Sequence, residues 1–158
     1  INDFNNLIVT RTFSKAYGLA ALRIGYSLSH PDVANLLNRV RQPFNNNGLA
    51  LVAADVALED TDYIKNSIKL NQFGMGQLTR AFDDMGLEYI PSKGNFLCVN
   101  FEQPAIKIYE SLLKLGVIVR PIFDYDMPNH LRVTIGVEPE NNKFIKELEK
   151  MMAKRTSL

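Results

Sequence analysis

Runs of β-branched and apolar residues predict two strands near the start of the chain. Residues 7–13 read as the first strand and residues 23–28 as the second, with a stretch of small residues between them. Ser29 and Pro31 then form a helix-start signal, in which Ser29 is the expected N-cap. Apolar residues recur every three or four positions after it, so we expect a helix that ends near Gln42.

The middle of the chain predicts two further helices. Residues 49–58 are rich in alanine and apolar side chains, and Asn47 is placed to cap their first turn. A longer helix is expected to begin at Asp60, with an apolar stripe along one side. Gly74 and Gly76 weaken this helix by about 1 kcal/mol each relative to alanine, so the sequence would allow a bend there.

The last part of the chain reads as an α+β unit of the order β-β-α-β-β-α. Two strands and one helix cannot close a core alone, so residues 1–45 are interpreted as the end of a larger domain. Residues 46–86 then form connecting helices, and residues 87–158 form a small α+β domain. Its expected strands are 87–90, 95–101, 117–122 and 131–135, and its expected helices are 105–115 and 140–152.

Composition and charge exclude several classes of protein. The chain has 158 residues, and its net charge of +1 gives no reason to expect a nucleic-acid or anionic-membrane partner. No apolar stretch approaches the roughly 20 residues of a membrane span, and the first residues do not resemble a secretory signal. Two histidines and one cysteine offer no zinc-ligand set, so no metal is expected. The single Cys98, expected in the core, agrees with a reducing, cytoplasmic compartment.

Lys15 is the first candidate for chemistry. It follows the first predicted strand, close to the hydroxyls of Thr12 and Ser14, and Arg23 comes eight positions later. Two hydroxyls, a guanidinium fork and the backbone N–H groups of a turn could together hold an anionic ligand. The alternative is an ordinary surface lysine and arginine in a strand–turn–strand element, because both residue types are common in loops.

Two arginines in the last third of the chain form a second candidate site. Residues 131–136 alternate, so Arg132 lies on the face opposite the apolar side chains, where a solvated sheet face is the alternative to a binding role. Residues 117–122 are apolar on both faces, so we expect Arg120 to be largely buried. A buried guanidinium needs an anionic or carbonyl partner, either an internal carboxylate or a substrate anion.

Several strings in the sequence resemble one enzyme family. Residues 12–26, TFSKAYGLAALRIGY, resemble the lysine signature S-K-x-x-x-x-x-G-x-R-x-G-[YF] of the fold-type I pyridoxal-phosphate aminotransferases, with Ala21 in place of its first glycine. Residues 131–136, LRVTIG, resemble another string of the same family. Residues 116–121, GVIVRP, resemble its histidinol-phosphate aminotransferase branch, as do residues 41–45 and 94–96. The resemblance covers essentially the whole chain but only the C-terminal part of the family's chain.

This resemblance implies an α/β fold and a role for each candidate residue. Residues 1–45 would end the large cofactor-binding domain, and residues 87–158 would be the small domain. Lys15 would condense with the aldehyde of pyridoxal 5'-phosphate and, once freed, act as the base that moves the α-proton. Arg132 would bind the substrate α-carboxylate, and Arg120 would add a second arginine at the substrate end of the pocket. The cofactor phosphate would be held by Thr12, Ser14 and Arg23.

The implied reaction interconverts histidinol phosphate and imidazole-acetol phosphate with glutamate and 2-oxoglutarate, in histidine biosynthesis. The implied assembly is a homodimer with shared active sites. The family's aspartate that pairs with the pyridine nitrogen lies further upstream, and Asp3 is too close to Lys15 to replace it, so we expect this chain to be an inactive piece of a longer enzyme. The alternatives are an aromatic or broad-range aminotransferase, a threonine-phosphate decarboxylase, or a non-catalytic interaction or dimerisation module.

Overall fold

The computed structural model describes residues 3–155, with side chains described as far as residue 153. The chain divides into two compact units, residues 1–68 and 69–158, and the boundary lies inside one long helix. The mixed α/β architecture agrees with the fold class expected from the sequence. The division at residues 45 and 86 into cofactor domain, connecting helices and small domain stays a prediction.

The first unit is a two-stranded sheet followed by helices. Strands β1 (Ile8–Thr12) and β2 (Gly25–Ser29) are antiparallel, as the two apolar runs predicted. Helices α1 (Pro31–Val40) and α2 (Gly48–Glu59) follow, and α3 (Thr61–Asp84) begins in this unit. Its buried apolar cluster is small: Phe13, Ile24, Ala50 and Ala54.

The capping residues of α1 and α2 test the helix-start signals in the sequence. The Asn47 Oδ1 atom accepts the Ala50 N–H at 2.8 Å, which confirms Asn47 as the cap of α2. The prediction of Ser29 for α1 is wrong, because His30 is the N-cap and its Nδ1 accepts the Asp32 N–H at 3.3 Å. Pro31 occupies the first helical position, and the residue before it is therefore the cap.

The second unit is a four-stranded antiparallel sheet with the strand order β3-β4-β6-β5. Its elements occur in the predicted β-β-α-β-β-α order after the end of α3. The core lies between one face of this sheet and three helices, and it is built from residues such as Phe82, Leu97, Leu131 and Leu148. The elements are β3 (Tyr89–Ile90), β4 (Phe96–Asn100), α4 (Ile106–Lys114), β5 (Arg120–Pro121), β6 (His130–Thr134) and α5 (Glu138–Arg155).

The other face of this sheet, here called the open face, carries the side chains that alternate with the core residues. Cys98 belongs to it and is only partly buried, so the expectation that it is a core residue is wrong. Leu97 and Val99 occupy the core positions of β4. Cys98 lies between them and faces the opposite side, because side chains alternate along a strand. The cross-strand pairs of the open face are Phe96 with Thr134, Cys98 with Arg132, and Asn100 with His130.

Helix α3 runs from Thr61 to Asp84 without a break at either of its glycines. A Cβ atom on Gly74 would lie 2.5 Å from the Ile135 Cγ2 atom and 2.9 Å from the Asn141 Nδ2 atom. Gly74 therefore allows close packing against the end of β6. It does not produce the bend that the sequence would allow. A Cβ on Gly76 would meet nothing closer than 3.8 Å. Within residues 3–155, no helix is long and apolar enough to cross a membrane.

Candidate functional site

The loop that follows β1 is held by hydrogen bonds to one buried residue, Phe13. The Phe13 N–H donates to the Ile24 carbonyl at 3.2 Å, and the Phe13 carbonyl accepts the Leu19 N–H at 2.9 Å. Only 3% of Phe13 is exposed, and its ring packs against Tyr17 and Tyr26 with centroid distances of 4.8 and 5.9 Å. These contacts fix both ends of the loop that carries the lysine signature.

Three of the residues predicted to hold a phosphate are joined by hydrogen bonds. The Thr12 Oγ1 atom accepts the Ser14 N–H at 3.0 Å. The Arg23 Nη1 atom donates to the Ala20 carbonyl at 2.7 Å and to the Ser14 Oγ atom at 3.4 Å. Arg23 adopts a left-handed backbone conformation with φ of 52°, which is uncommon for a residue other than glycine. Thr12, Ser14 and Arg23 are called the cradle below.

Gly25 lies two positions after the cradle arginine, where the close approach of the two strands requires a glycine. It pairs with Thr12 across β1 and β2. A Cβ atom at Gly25 would lie 2.6 Å from the Arg11 carbonyl oxygen, so any side chain there would push the two strands apart. The glycine thus keeps Thr12 and Arg23 at the same end of the hairpin.

Lys15 directly follows Ser14 of the cradle in the chain and is exposed. Its carbonyl accepts the Gly18 N–H at 2.8 Å, which begins the turn after it. Within the part of the chain that the structure describes, neither Lys15 nor Arg23 forms an ion pair with a carboxylate. The amine and the guanidinium are therefore both available to an external ligand.

The donor set of this loop fits a phosphorylated aldehyde. Two hydroxyls and a guanidinium bind phosphate oxygens well, and a lysine amine condenses with an aldehyde. The set does not fit a metal ion, because no three His, Cys, Asp or Glu residues come together anywhere in residues 3–155.

The second candidate site lies in the sheet of the second unit. Arg120 on β5 and Arg132 on β6 are direct cross-strand partners. Like charges opposite one another destabilise a sheet, and neither arginine has an ion-pair partner among the described residues. The structure thus brings together the two arginines that the sequence singled out, in an arrangement that a bound anion would stabilise.

Arg120 is exposed, so the expectation that it is largely buried is wrong. Residues 117–122 are apolar apart from Arg120, but only one face of this segment packs on the core. Val117 and Val119 are buried, whereas 82% of Ile118 is exposed. Arg120 lies on the same side as Ile118 because side chains alternate in an extended segment.

Arg132 is partly buried on the open face. Its Nε atom is buried and has no hydrogen-bond partner, and its guanidinium carbon lies 5.0 Å from the centre of the Phe96 ring. Cys98 is its cross-strand neighbour. Burial raises the pKa of the Cys98 thiol above its ordinary value, and the positive charge of Arg132 lowers that pKa part of the way back.

Sequence reasoning missed Asn141, a residue that fixes the end of the strand carrying Arg132. Its side chain is 3% exposed, and its Oδ1 atom accepts the Gly136 N–H at 2.9 Å. Its Nδ2 atom donates to the Gly136 carbonyl and to the Gln77 Oε1 atom, both at 3.0 Å. The sequence carries no signal for this role, because an asparagine in the first turns of a helix is usually exposed.

Comparison with known proteins decides the family. Residues 1–147 match the aminotransferase class I and II family, which is nearly the whole chain. The chain belongs to this family. The expectation of this family rests on the lysine signature and the two arginine strings. All three lie inside the matched range. The expected aminotransferase family is thereby confirmed.

Individual relatives show which kinds of aminotransferase the chain is similar to. The chain is 58% identical over 151 residues to histidinol-phosphate aminotransferase 2 of Pseudomonas fluorescens Pf0-1, a match that covers 96% of this chain and 41% of the relative. The structure of histidinol-phosphate aminotransferase from Sinorhizobium meliloti in complex with pyridoxal-5'-phosphate is 31% identical, with a TM-score of 0.85, over 96% of this chain and 42% of that one.

The same fold also occurs in an enzyme named for another reaction. The L-threonine-O-3-phosphate decarboxylase of Porphyromonas gingivalis is 24% identical with a TM-score of 0.82, over 94% of this chain and 47% of that one, which is a likeness of fold alone. The chain thus spans about two-fifths of the length of the curated relatives that it matches.

Proposed function

We propose that this chain is part of a pyridoxal-phosphate-dependent aminotransferase that transfers an amino group between histidinol phosphate and 2-oxoglutarate, giving imidazole-acetol phosphate and glutamate. The observation that carries the proposal is the hydrogen-bonded cradle directly beside an unpaired lysine. The relative that is 58% identical over almost the whole chain supports the choice of substrate. We assign the chain to the C-terminal part of such an enzyme, because its lysine signature and two arginine strings resemble that part of the family's chain.

The cradle would hold the phosphate group of the cofactor. The Arg23 guanidinium offers charge-assisted donors, and the Thr12 and Ser14 hydroxyls sit within one hydrogen-bonded group with it. Its remaining hydrogen bond to Ala20 holds the arginine in place before any ligand arrives. A cradle organised in this way loses little side-chain entropy when the phosphate binds.

Lys15 would carry the covalent attachment and the proton transfer. When bound, pyridoxal phosphate supplies the electron sink that makes removal of the substrate α-proton feasible. The Lys15 amine is exposed and free of ion pairs, so it can hold the cofactor between reactions. Once the substrate amine has replaced it, the Lys15 amine would be the base that accepts the substrate α-proton.

The arginine pair would bind the anionic ends of both substrates. The Arg132 guanidinium would bind the α-carboxylate of glutamate, because its planar fork matches two carboxylate oxygens. Arg120, directly across the strand pair, would join it when the phosphate of histidinol phosphate takes that place. One arginine pair that accepts either anion suits a reaction in which two different substrates use one pocket in turn.

The remaining parts of the proposal concern the whole protein. A homodimer in the cytoplasm fits a biosynthetic aminotransferase. We also propose that the 158 residues alone do not catalyse transamination, because they correspond to about two-fifths of the relatives' length.

Kinetics of the full-length enzyme test the proposed reaction. Histidinol phosphate should be transaminated with 2-oxoglutarate, and excess phenylalanine should compete weakly. Arg132→Ala should lower kcat/KM for glutamate by the equivalent of about 2–3 kcal/mol, the cost of losing hydrogen bonds to a charged group. Lys107→Ala, an exposed position on α4, is the control and should change nothing.

Three results would contradict the proposal in different ways. Preference for phenylalanine would point to the aromatic or broad-range alternative. Loss of carbon dioxide from threonine phosphate would point to the decarboxylase. An Arg132→Ala enzyme with unchanged kcat/KM would remove the arginine from the substrate site and favour the non-catalytic module for this part of the chain.

A further inference from the structure

The open face of the second unit contains one contact that the proposed reaction does not explain. The Phe96 ring lies under the Arg132 guanidinium, 5.0 Å from its central carbon. Phe96 pairs with Thr134 across β4 and β6, so Phe96 and Arg132 are diagonal neighbours on the same face of the sheet. A guanidinium stacked on an aromatic ring is attracted by the negative face of the ring, and the attraction grows when water is partly excluded.

The Phe96 ring is itself held in place by the turn before it. A Cβ atom on Gly94 would lie 3.8 Å from the ring, so the ring rests beside the Gly94 backbone. That backbone is tied on both sides, because its N–H donates to the Ser92 Oγ atom at 3.0 Å and its carbonyl accepts the Asn71 Nδ2 group at 3.1 Å. The Asn95 carbonyl then accepts the N–H of Ile135 at 2.8 Å, beyond the end of β6.

The contact takes the place of a carboxylate partner. A partly buried arginine is usually oriented by an acidic side chain, but the ion pairs among the described residues do not include Arg132. Its Nε atom is buried without a hydrogen-bond partner. A ring can orient a guanidinium without neutralising it, and so its full charge remains for an external anion.

We propose that Phe96 is a positioning residue that orients the Arg132 guanidinium for the carboxylate or phosphate of the substrate. The inference rests on the proposed role of Arg132. Phe96 touches neither substrate nor cofactor in this scheme and acts only through the arginine. A substitution of Phe96 should therefore change KM more than it changes kcat.

Nitrogen-15 NMR of the arginine side chains in the 158-residue chain tests the orientation directly. The Arg132 Nε–H signal, assigned by its loss in Arg132→Lys, should show a ring-current shift and slower exchange with water than the signal of exposed Arg120. Phe96→Leu should remove both effects, and Phe96→Tyr, which keeps the ring, should retain them. Ile90→Ala changes another apolar residue of the open face, paired with Cys98, and should leave the signal unchanged.

Kinetics of the full-length enzyme test the consequence for binding. Phe96→Leu should raise KM for glutamate about threefold to tenfold with little change in kcat, as loss of one cation–π contact predicts. Phe96→Tyr should restore KM, and Ile90→Ala should not move it. A fall in kcat without a rise in KM would overturn the positioning role.

The two readouts separate this inference from the proposal on which it rests. If Arg132→Ala raises KM but Phe96→Leu changes neither KM nor the Arg132 signal, the positioning role is wrong and the proposed function stands. If Arg132→Ala leaves KM unchanged, the assigned role of Arg132 fails, and the role of Phe96 falls with it. A rise in KM for Phe96→Leu together with the lost NMR shift supports the inference.

Discussion

The two units of the chain position their candidate site residues in different ways. In the first unit, the cradle and Lys15 sit on a hairpin whose buried apolar cluster has four members, two of them alanine. In the second unit, Arg132 lies on a four-stranded sheet that is packed against three helices, through fourteen buried residues in the part of the unit that the structure describes. The first site therefore depends on local hydrogen bonds, and the second depends on a packed core.

Helix α2 shows the difference most clearly. Only Ala50 and Ala54 of this helix are buried, although the helix is apolar apart from Asp55 and Glu59. Helices of that composition are usually covered on every side. The exposed apolar residues of α2 are Leu49, Leu51, Val52, Val56 and Leu58. We infer that unit 1 has a low free energy of unfolding in isolation and that unit 2 is the stable part of the chain.

The largest expected effect comes from the core of the second unit. Phe82 is fully buried and packs against Tyr89 and Phe144 at centroid distances of 5.8 and 6.1 Å. Phe82→Ala should lower the free energy of unfolding of this unit by about 3–5 kcal/mol, since it leaves a cavity. Phe73→Ala, on the same helix but 53% exposed, is the control. Native-state hydrogen exchange of the β4 amides measures both, and equal losses would contradict the packed-core account.

The two glycines of α3 should respond to alanine in opposite directions. Gly74→Ala should destabilise unit 2 by about 1–3 kcal/mol, because the new methyl group would collide with the Ile135 side chain. Gly76→Ala should stabilise it by up to about 1 kcal/mol, because the site has room and alanine favours the helix. Thermal unfolding of both variants gives the signs. A stabilising Gly74→Ala would show that this glycine is a flexible point after all.

A substitution in the first unit should lower the stability of that unit and leave the stability of the second unit unchanged. Asn47→Ala removes the cap of α2 and should lower the stability of that helix by about 0.5–2 kcal/mol. Asn46→Ala changes the neighbouring loop residue, and should alter stability by less than about 0.5 kcal/mol. Hydrogen exchange should speed up in α2 and not in β4. If β4 exchanges faster to the same extent, the units do not unfold separately.

The smallest expected effect is on the reactivity of Cys98. Its pKa is raised by burial, so less of the thiol is ionised near neutral pH than in an ordinary cysteine, and alkylation should be slow and increase with pH. Arg132 lowers this pKa, so Arg132→Ala should raise it and slow alkylation at a fixed pH. Arg120→Ala is the matched control. Faster alkylation of the Arg132→Ala chain would contradict the placement of that charge beside Cys98.

The sequence predicted the helices and strands better than it predicted the exposure of individual side chains. The apolar runs and Asn47 located strands and a helix start correctly, because these are local signals. The lysine signature pointed to Thr12, Ser14 and Arg23, and hydrogen bonds join these three residues in the structure.

What the sequence missed depends on packing from elsewhere in the chain. Arg120 and Cys98 were assigned to the interior because their segments are apolar, but which face of a strand meets the core is decided by its partners. Gly74 resembles a weak point in a helix until Ile135 is seen to pack against it. The contact of Phe96 with Arg132 requires the register of β4 against β6, which no local pattern specifies.

Locating the site of cofactor attachment tests the central claim most directly. The full-length protein and the 158-residue chain are incubated with pyridoxal phosphate, reduced with borohydride and digested, and the labelled peptide is identified by mass spectrometry. We predict that the full-length protein carries the label on Lys15, that Lys15→Ala loses it and that Lys107→Ala keeps it. A full-length protein labelled elsewhere, or on surface lysines at random, would contradict the assignment of Lys15 and the cradle to the cofactor.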